Sequence, residues 1–372
     1  MPLRLQPVHR PLLSACFAVL TVCAYMPTLK GAAGKPTWTG GNGNGTTPGK
    51  WDTNTRPGQA DIVHVGNGAA KYTSDESIGA LELTTDTGAT APGKIEGTGT
   101  VTFVGGAGLA SSWDSGEISF SSGGGVVFDT GATLTIATGS SHKLSGGSLT
   151  NKGSASWEGG SIDISGGATF SNNAGGTFTA GFDGTVSNGG SASFVNAGTF
   201  TKSAGAAGSA TDIRAVFTNT GSVNANAGTL KLSGGGSSSG SIAVGNGAKL
   251  QIASNNYTFD TTAFSGSGTV ELAGATTTFK GASGNAKVSV NASGAAAEFD
   301  TSASTLDTLT LGSGTVSSTN SGSASVTSLQ WNGGTLNAKV TSAGSTFDDT
   351  AKSLGASADL TLNGNTSWSG GT

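Results

Sequence analysis

Short stretches of alternating hydrophobic and polar residues run through most of this 372-residue chain. In many of them a glycine and a small residue come first, and apolar side chains then occupy every second position, as in Leu230 with Leu232 and Leu250 with Ile252. A period of two places such side chains on one face of a β-strand. No segment has the longer period of an amphipathic helix. The pattern therefore predicts an all-β protein built from short strands.

The strands recur at a nearly constant interval. Gly228, Gly247 and Gly268 open three successive segments that lie 19 and 21 residues apart. Such intervals are too long for a hairpin and match one turn of a β-solenoid, in which each turn buries its apolar face against the next. We expect about 15 turns, stacked at the strand spacing of roughly 4.8 Å into a rod on the order of 70 Å long.

One short sequence motif occurs three times in the middle of the chain. It begins at Phe170, Phe194 and Phe217, so it recurs after 24 and then 23 residues, and an asparagine follows two places later each time. These asparagines are Asn172, Asn196 and Asn219. Because they share a strand face with the phenylalanines, we expect them either to stack as an amide ladder along the axis or to adopt a left-handed turn conformation before the glycine. Both roles are structural.

A second repeated motif consists of Trp, two residues, Gly, one residue and an aliphatic residue. It occurs at Trp113, Trp157 and Trp331, and it begins again at Trp368 just before the sequence ends. We expect these tryptophans to be structural repeat positions as well. Because the fourth copy is interrupted, the sequence predicts a repeat region that is truncated at the C-terminus.

Composition favours a folded solenoid over a disordered linker. Glycine supplies 64 residues and only 11% of the chain is charged, yet 35% of the residues are hydrophobic and they alternate with polar ones. Glycine and serine runs are expected to form loops between strands. Among these runs, Gly234–Gly240 is the best candidate for a mobile loop.

Residues 1–33 have the pattern of an export signal, in which basic residues precede an apolar run and small residues follow. Cleavage is expected after Ala33, with Ala24 as the alternative. Both cysteines lie in the removed segment, and its loss also removes three basic residues and no acid, which changes the net charge from −4 to −7. The mature chain is therefore not expected to bind nucleic acid, which requires clustered Lys and Arg. It has no predicted transmembrane segment, so we expect a secreted or cell-surface protein.

Residues 34–65 differ from the repeats. Trp38-Thr-Gly-Gly, then Trp51, Pro57, and Asp61 followed by alternating Ile and Val resemble the start of bacterial secreted, Gly-rich β-helical repeat proteins, such as autotransporter passenger domains and surface adhesins. The tandem motifs are similar to that group as well, so the resemblance covers nearly all of residues 38–372. It implies a right-handed parallel β-helix over residues 66–372, capped by residues 34–65, with the two tryptophans covering the open end.

One feature departs from the autotransporters. No outer-membrane translocator barrel follows the repeats in this sequence. We therefore expect either a partial gene product or a protein of the bacterial cell surface or outer membrane that is exported by another route.

The sequence contains few groups suited to catalysis. His64 and His142 have no partner at metal-ligand spacing, and no metal site, cofactor site or catalytic site is predicted. Asp212 and Arg214 share a strand face and are expected to form a surface ion pair. A carbohydrate-active site would require an acid from a neighbouring turn beside that pair.

Threonine pairs of the form Thr-x-Thr recur along the chain. They are Thr98 with Thr100, Thr133 with Thr135, Thr177 with Thr179, Thr199 with Thr201, Thr276 with Thr278, and Thr308 with Thr310. Ranks of threonine on one face resemble the surfaces of ice-binding solenoids. Threonine is, however, also a common residue on the solvent face of any β-sheet.

From these features we expect a non-enzymatic, extracellular or cell-surface β-solenoid with a structural and adhesive role. Its exposed faces would contact an extracellular glycan, a matrix or host surface, or neighbouring cells through many weak contacts. The alternatives are a carbohydrate-active β-helix, either a polysaccharide lyase or hydrolase or a glycan-binding module, and an ice-binding solenoid.

Overall fold

A computed structural model describes residues 34–121, 123–137, 141–206, 208–348 and 350–370. These residues contain 43 short β-strands and one 3-10 helix, Pro48–Lys50. No helix within the described ranges is long and apolar enough to cross a membrane. The expected signal segment, with its cleavage site at Ala33, lies outside the described residues.

In chain order, the strands of the N-terminal part are β1 (Asn42–Asn44), β2 (Ile62–Val65), β3 (Gly68–Tyr72), β4 (Glu76–Ile78), β5 (Ala80–Leu83), β6 (Gly93–Gly97), β7 (Thr100–Phe103), β8 (Ala110–Trp113), β9 (Glu117–Phe120), β10 (Gly125–Phe128), β11 (Thr133–Ile136), β12 (His142–Ser145), β13 (Ser148–Asn151) and β14 (Ser154–Trp157). Those of the middle are β15 (Ile162–Ser165), β16 (Thr169–Asn172), β17 (Thr177–Ala180), β18 (Thr185–Gly189), β19 (Ser193–Asn196), β20 (Thr199–Lys202), β21 (Ala210–Ile213), β22 (Val216–Asn219), β23 (Ser222–Ala225), β24 (Thr229–Leu232), β25 (Gly236–Ser238), β26 (Ser241–Val244), β27 (Lys249–Ile252), β28 (Tyr257–Asp260) and β29 (Ala263–Gly266). Those of the C-terminal part are β30 (Thr269–Leu272), β31 (Thr276–Lys280), β32 (Ser283–Gly284), β33 (Lys287–Val290), β34 (Ala296–Asp300), β35 (Ala303–Leu311), β36 (Thr315–Thr319), β37 (Ser323–Trp331), β38 (Thr335–Asn337), β39 (Lys339–Ser342), β40 (Ser345–Phe347), β41 (Ser353–Leu354), β42 (Asp359–Leu362) and β43 (Thr366–Trp368).

The strands form three sheets, which are the sides of a solenoid. Sheet 1 has 18 strands, from β1 and β3 to β43; sheet 2 has 14, from β4 to β41; and sheet 3 has 11, from β2 to β32. Over the first ten turns the chain visits the sheets in a fixed order, so that β3, β4 and β5 are followed by β6, β7 and β8. Each strand pairs in parallel with its equivalents one turn away, as β10 does with β7 and β13.

These pairings confirm the predicted all-β parallel β-helix. Sheet 2 has 14 strands, which corresponds to about 14 turns and to a length on the order of 65 Å at the usual strand spacing. The predicted alternation is confirmed too, because Leu230 lies beside Leu250 and Leu232 beside Ile252, all of them buried.

At the N-terminal end, two tryptophans pack together beneath the first turn. The rings of Trp38 and Trp51 meet edge to face with centroids 5.1 Å apart, and both side chains are buried. Their indole N–H groups donate to the carbonyl oxygens of Gly41 and Gly45, at 3.1 and 2.9 Å. Strand β1 extends sheet 1 by pairing with β3, and β2 is the first strand of sheet 3. Both tryptophans belong to the same buried hydrophobic cluster as Val63 and Val65 of β2. A capping role for residues 34–65 stays a prediction.

The three repeated phenylalanines stack in one buried column of sheet 2. Phe170, Phe194 and Phe217 lie in register on β16, β19 and β22, with ring centroids 4.8 and 5.7 Å apart. Phe178 and Phe200 meet them edge-on from sheet 3 at 5.3 to 5.7 Å. Complete burial of each ring contributes about 1.5–3 kcal/mol to stability. This aromatic cluster holds the middle of the solenoid together.

The repeated asparagines form a buried amide ladder beside the phenylalanines. Each side-chain N–H group donates to the oxygen of the next, from Asn151 to Asn172, Asn196 and Asn219 at 2.8, 2.7 and 2.8 Å, and the last donates to Ser238 at 3.0 Å. None of these asparagines has a positive φ. Of the two alternatives for the repeated asparagines, the ladder is therefore the correct one. Asn151, its first member, was not predicted.

The Trp motif occupies two different positions of the turn. Trp113 and Trp157 lie on sheet 3, both buried, in one column and separated by Ile136. Trp331 and Trp368 lie on sheet 1 on either side of Phe347, with ring centroids 5.8 and 5.3 Å from it. The shared motif therefore does not mark a single repeated site.

The prediction of a mobile loop at Gly234–Gly240 is wrong. Residues Gly236–Ser238 form β25, which pairs with β22 and β28 in sheet 2. Gly236 has a φ of +129°, and a Cβ at this position would lie 2.1 Å from the carbonyl oxygen of Phe217. Glycine is needed here because the backbone of the preceding turn comes so close.

Candidate binding faces

Over eight of its eleven strands, the outer surface of sheet 3 is an uncharged array of small polar side chains, here called the hydroxyl face. It consists of the outward residues of eight consecutive strands, β8 to β29, and serine or threonine fills most of the positions. The residues are Ala110, Ser112, Thr133, Thr135, Ser154, Ser156, Thr177, Thr179, Thr199, Thr201, Ser222, Asn224, Ser241, Ala243, Ala263 and Ser265. None of these side chains carries a charge.

Strand register aligns the hydroxyls in two ranks along the axis. Thr133, Ser154, Thr177 and Thr199 lie in one rank. Within that rank Thr177 donates to the hydroxyl of Ser154 at 3.2 Å, and further along Ser241 donates to that of Ser222 at 3.0 Å. Parallel strands in register repeat at about 4.8 Å. The face therefore presents donors and acceptors at a regular interval.

Three of the six threonine pairs belong to this face. The pairs at Thr133, Thr177 and Thr199 are on sheet 3, and the last two lie in adjacent turns. Of the other pairs, those at Thr98 and Thr276 lie at sheet 2 and that at Thr308 on sheet 1. Serine residues continue the two ranks between the threonine pairs. The positions of the threonines alone therefore do not reveal the full length of the face.

The amide ladder is connected directly to the hydroxyl face. The second N–H of each ladder side chain donates to the backbone carbonyl of a residue that begins a sheet 3 strand one turn further on. Asn151 bonds to Thr177 at 2.9 Å, Asn172 to Thr199 at 3.1 Å and Asn196 to Ser222 at 3.0 Å. These carbonyls belong to outward residues of the hydroxyl face, so the buried ladder fixes where β17, β20 and β23 of that face begin.

Charged side chains concentrate on sheet 1. Lys94, Glu117, Lys143 and Asp163 occupy one outward column in four successive turns, with alternating signs. The Lys94 ammonium lies 3.7 Å from Glu117 and 3.1 Å from Glu96 in the neighbouring column. Asp163 accepts hydrogen bonds from the hydroxyls of Ser141 and, at 2.7 Å, Ser187. Lys143 forms no ion pair with an acid of the described ranges.

Asp212 and Arg214 form the predicted ion pair further along the same sheet. Arg214 Nε lies 2.9 Å from an Asp212 oxygen. Lys231 lies 3.7 Å from the same carboxylate, and the hydroxyl of Ser233 donates to it at 2.6 Å. The strand neighbours of Asp212 are Thr185 and Lys231. The neighbouring turns therefore supply a base where a carbohydrate-active site would require an acid.

Two cavities flank the charged column. The first, here called the corner cavity, has a volume of about 400 Å³ and lies where sheet 3 strands lead into sheet 1. It is lined by Lys94, Glu117 and Lys143 and by three residues of the connection between β5 and β6, Thr85, Ala91 and Pro92. The second, of about 420 Å³, lies where sheet 1 leads into sheet 2, between Lys71, Glu96 and a run of glycines. Both volumes are typical of sites for small ligands.

No protein-family model, curated protein or solved structure matches this chain. The resemblance to secreted adhesins therefore remains an expectation based on the sequence.

The two described histidines have different surroundings. His64 is bracketed by carboxylates, with Nδ1 at 2.9 Å from Glu82 and Nε2 at 3.0 Å from Asp86. Burial raises the pKa of Glu82, but hydrogen bonds from Lys35 and His64 outweigh it, so the net effect is a lowered pKa. The two acids lie on opposite sides of the ring, and no group of three metal-ligating side chains occurs within the described ranges.

His142 is a core residue. It is buried edge-on against Trp113 at 5.4 Å, and Nδ1 lies 2.9 Å from the Ser161 carbonyl oxygen. Its Nε2 has no hydrogen-bond partner. Burial lowers the pKa of His142, because the charged imidazolium is poorly solvated there.

Lys202 is a fully buried base that sequence reasoning missed. It takes an inward position on β20 between two alanines of the same column. Its ammonium lies 3.0 Å from Asp183 and donates to the carbonyl oxygens of Phe182, at 2.7 Å, and Ala204. Because the strand alternation alone places Lys202 inward, a charged residue at that position was a detectable signal. Its three oxygen partners make it a structural tether between neighbouring loops.

Proposed function

We propose that this protein is a non-enzymatic, extracellular or cell-surface adhesive solenoid that binds a repetitive, uncharged polymer of a matrix, host or neighbouring-cell surface. The observation that carries the proposal is the hydroxyl face, with its two aligned ranks of serine and threonine over eight turns. A regular array of donors and acceptors suits a ligand that is itself regular and rich in hydroxyls, such as a neutral polysaccharide.

Binding by such a face depends on many small contributions. A single neutral hydrogen bond contributes about 0.5–1.5 kcal/mol net, which is too little to hold a ligand alone. Because the hydroxyls repeat along one rigid surface, a polymer that engages one rank can engage the following turns at little extra entropic cost. The amide ladder supports this arrangement by fixing the strands Thr177–Ala180, Thr199–Lys202 and Ser222–Ala225 from within.

The charge distribution also favours a neutral ligand at this face. Charged side chains are absent from its outward positions, so a neutral polymer does not have to displace the water bound to ions. The acid that the sequence singled out for carbohydrate chemistry, Asp212, is held by Arg214 and Lys231. Such pairing is typical of structural acids and supports a binding role over a catalytic one.

The test is a co-sedimentation assay of the purified chain with insoluble neutral polysaccharides, cellulose and chitin, and with collagen as a charged comparison polymer. The double variant Thr179→Lys, Thr201→Lys places two charges in adjacent turns of the hydroxyl face. The matched control, Thr150→Lys with Ser171→Lys, places the same charges in adjacent turns of sheet 2. We expect the first variant to lose at least tenfold in affinity and the second to bind normally.

Two results would contradict the proposal. One is the absence of binding to every polymer in the panel. The other is an equal loss in both double variants, which would indicate a general effect of added charge.

Ice is a second candidate ligand, because two threonine pairs, Thr177 with Thr179 and Thr199 with Thr201, lie side by side on this face. Serine and alanine interrupt the array in the turns beyond them. Thermal hysteresis measured on the same variants separates the two candidates. A thermal hysteresis that the double variant Thr179→Lys, Thr201→Lys abolishes would favour ice as the ligand. If the unmodified protein shows no hysteresis, the polymer is the ligand that remains.

A further inference from the structure

We propose that the corner cavity binds the carboxylate-bearing sugar residue of an acidic glycan, with Lys143 as the group that contacts the carboxylate. This site goes beyond the proposed function, because it lies outside the hydroxyl face and selects a charged ligand where that face selects a neutral one. Its volume of about 400 Å³ is within the range of sites that enclose a small ligand.

The charge balance of the cavity favours an anion. Lys94 and Lys143 contribute two ammonium groups to its wall, and Glu117 contributes one carboxylate. Lys94 already has acidic neighbours at 3.1 and 3.7 Å, in Glu96 and Glu117. Lys143 has no acid within ion-pair distance in the described ranges, although Glu117 and Asp163 are its strand neighbours. Its ammonium is exposed and remains available to a ligand carboxylate.

The remaining lining fits a polyhydroxylated ring. Thr85, Ser115 and Ser141 supply hydroxyls, and Asn42 supplies an amide. The hydroxyl of Ser115 donates to that of Thr85 at 3.0 Å, so the two bridge one side of the cavity. The small apolar residues Ala69, Ala91 and Pro92 also line it. Apolar contacts with a few placed polar groups are typical of pockets for small organic ligands.

The site is built on rigid elements. Lys94, Glu117 and Lys143 alternate with inward residues Ile95, Ile118 and Leu144, all of which are fully buried in adjacent turns. A side chain on a packed strand keeps its position better than one on a loop. The Cα atoms of Lys94 and Lys143 are therefore fixed two turns apart, with that of Glu117 between them, which leaves Lys143 as the group that meets the carboxylate.

The experiment compares two probes that differ in one group. Methyl glucuronide carries a carboxylate where methyl glucoside carries a hydroxymethyl group, and binding of each to the full chain is measured by calorimetry at low salt. We expect methyl glucuronide to bind at least tenfold more tightly, since a charge-assisted hydrogen bond is among the strongest available to a lysine. Lys143→Gln should remove most of that difference and Lys143→Arg should retain it.

The control variant is Lys152→Gln. Lys152 lies outside the cavity and pairs with Asp129 at 3.5 Å, so its loss removes the same charge without changing the site. We expect normal methyl glucuronide binding. All three lysine variants are at exposed or half-exposed positions and should fold normally.

Three outcomes would overturn the inference. The two probes could bind equally, Lys143→Gln could leave methyl glucuronide binding unchanged, or acetate could compete as well as the sugar acid, which would indicate a site for simple anions. None of these results affects cellulose or chitin binding by the hydroxyl face. Conversely, Thr179→Lys with Thr201→Lys should leave methyl glucuronide binding intact, so failure of either proposal is distinguishable from failure of the other.

Discussion

Replacing Asn196 by leucine should test the amide ladder directly. Asn196 is fully buried, accepts a hydrogen bond from Asn172 at 2.7 Å and donates one to Asn219 at 2.8 Å and one to the Ser222 carbonyl at 3.0 Å. Leucine has a similar branched shape but is larger and has no polar atoms. The substitution therefore leaves a donor of Asn172 and the side-chain oxygen of Asn219 without their ladder partners. It also removes the bond to the carbonyl of Ser222, a residue that stays in the β20–β23 pairing.

The expected cost follows from those two groups. An unsatisfied buried polar group costs about 1–3 kcal/mol, so the two together cost about 2–6 kcal/mol. The larger apolar side chain offsets about 1 kcal/mol of this. The net loss in the free energy of unfolding should be about 1–5 kcal/mol. The matched control is Asn224→Ala on the outward side of β23, which should change stability by less than about 0.5 kcal/mol.

A double variant sharpens the test. Removing Asn172 and Asn196 together leaves only a donor of Asn151 and the oxygen of Asn219 without ladder partners, which is again two groups. The double variant should therefore cost less than the sum of the two single variants, because two fewer groups lose their partners. At about 1–3 kcal/mol per group, the coupling energy is about 2–6 kcal/mol. Two independent buried amides would instead give additive losses.

The assay is urea unfolding followed by the fluorescence of the buried tryptophans. Because a solenoid does not always unfold in a single step, hydrogen exchange of the amides in β16–β23 provides a local measurement of the same loss. An Asn196→Leu variant as stable as Asn224→Ala would refute the ladder as a source of stability. Additivity of the two ladder variants would refute the coupling between its members.

Three further outcomes are expected. Phe194→Asp buries an unpaired charge between stacked rings and should unfold the central turns in a thermal melt. The control, Phe194→Leu, should be tolerated. Unchanged melting of the Asp variant would contradict the stacking. Deletion of residues 34–65 should expose the edges of the first turn and make the protein associate in light scattering, and a variant that stays monomeric at high concentration would count against a capping role. Burial lowers the pKa of His142 below its ordinary 6.5, so its contribution to stability is fully present above pH 6.5 and is lost as the pH falls toward the lowered pKa. The urea midpoints at about pH 7.5 and 5.5 should therefore differ less in His142→Phe than in the unmodified protein. An equal difference in the two proteins would refute this pH dependence.

The local pattern was sufficient to predict the architecture. Alternation at positions such as Leu230 and Leu232 indicated strands, and the recurrence of Phe170, Phe194 and Phe217 indicated turns of nearly equal length. These signals are reliable because each turn must bury its apolar side against the next. The amide ladder was one of two alternatives that the sequence predicted, because the same spacing put the asparagines on the strand face of the phenylalanines.

The candidate sites were not predictable in the same way, because they depend on which strands share a sheet. The lengths of the connections between strands vary from turn to turn, so residues 16 to 30 positions apart are neighbours, as with Ala324 and Val340 or Glu82 and Ser112. Identical motifs can therefore lie on different sheets, as Trp157 and Trp331 do. The hydroxyl face, the corner cavity and the charged column all arise from such register, which composition and spacing do not determine.

The buried ladder and the hydroxyl face are two sides of one arrangement. In the same inward column, the turns before the ladder carry Phe103 and Phe128, and those after it carry Phe259 and Phe279. Phenylalanine thus fits this position, and it would stabilise each turn without needing a hydrogen-bond partner in the next turn. Asparagine is instead found where its second N–H group anchors the strands of the hydroxyl face. A polar column costs stability when any member is lost, but it allows only one register. In the middle of this core the ladder therefore holds the hydroxyls of β17, β20 and β23 in line.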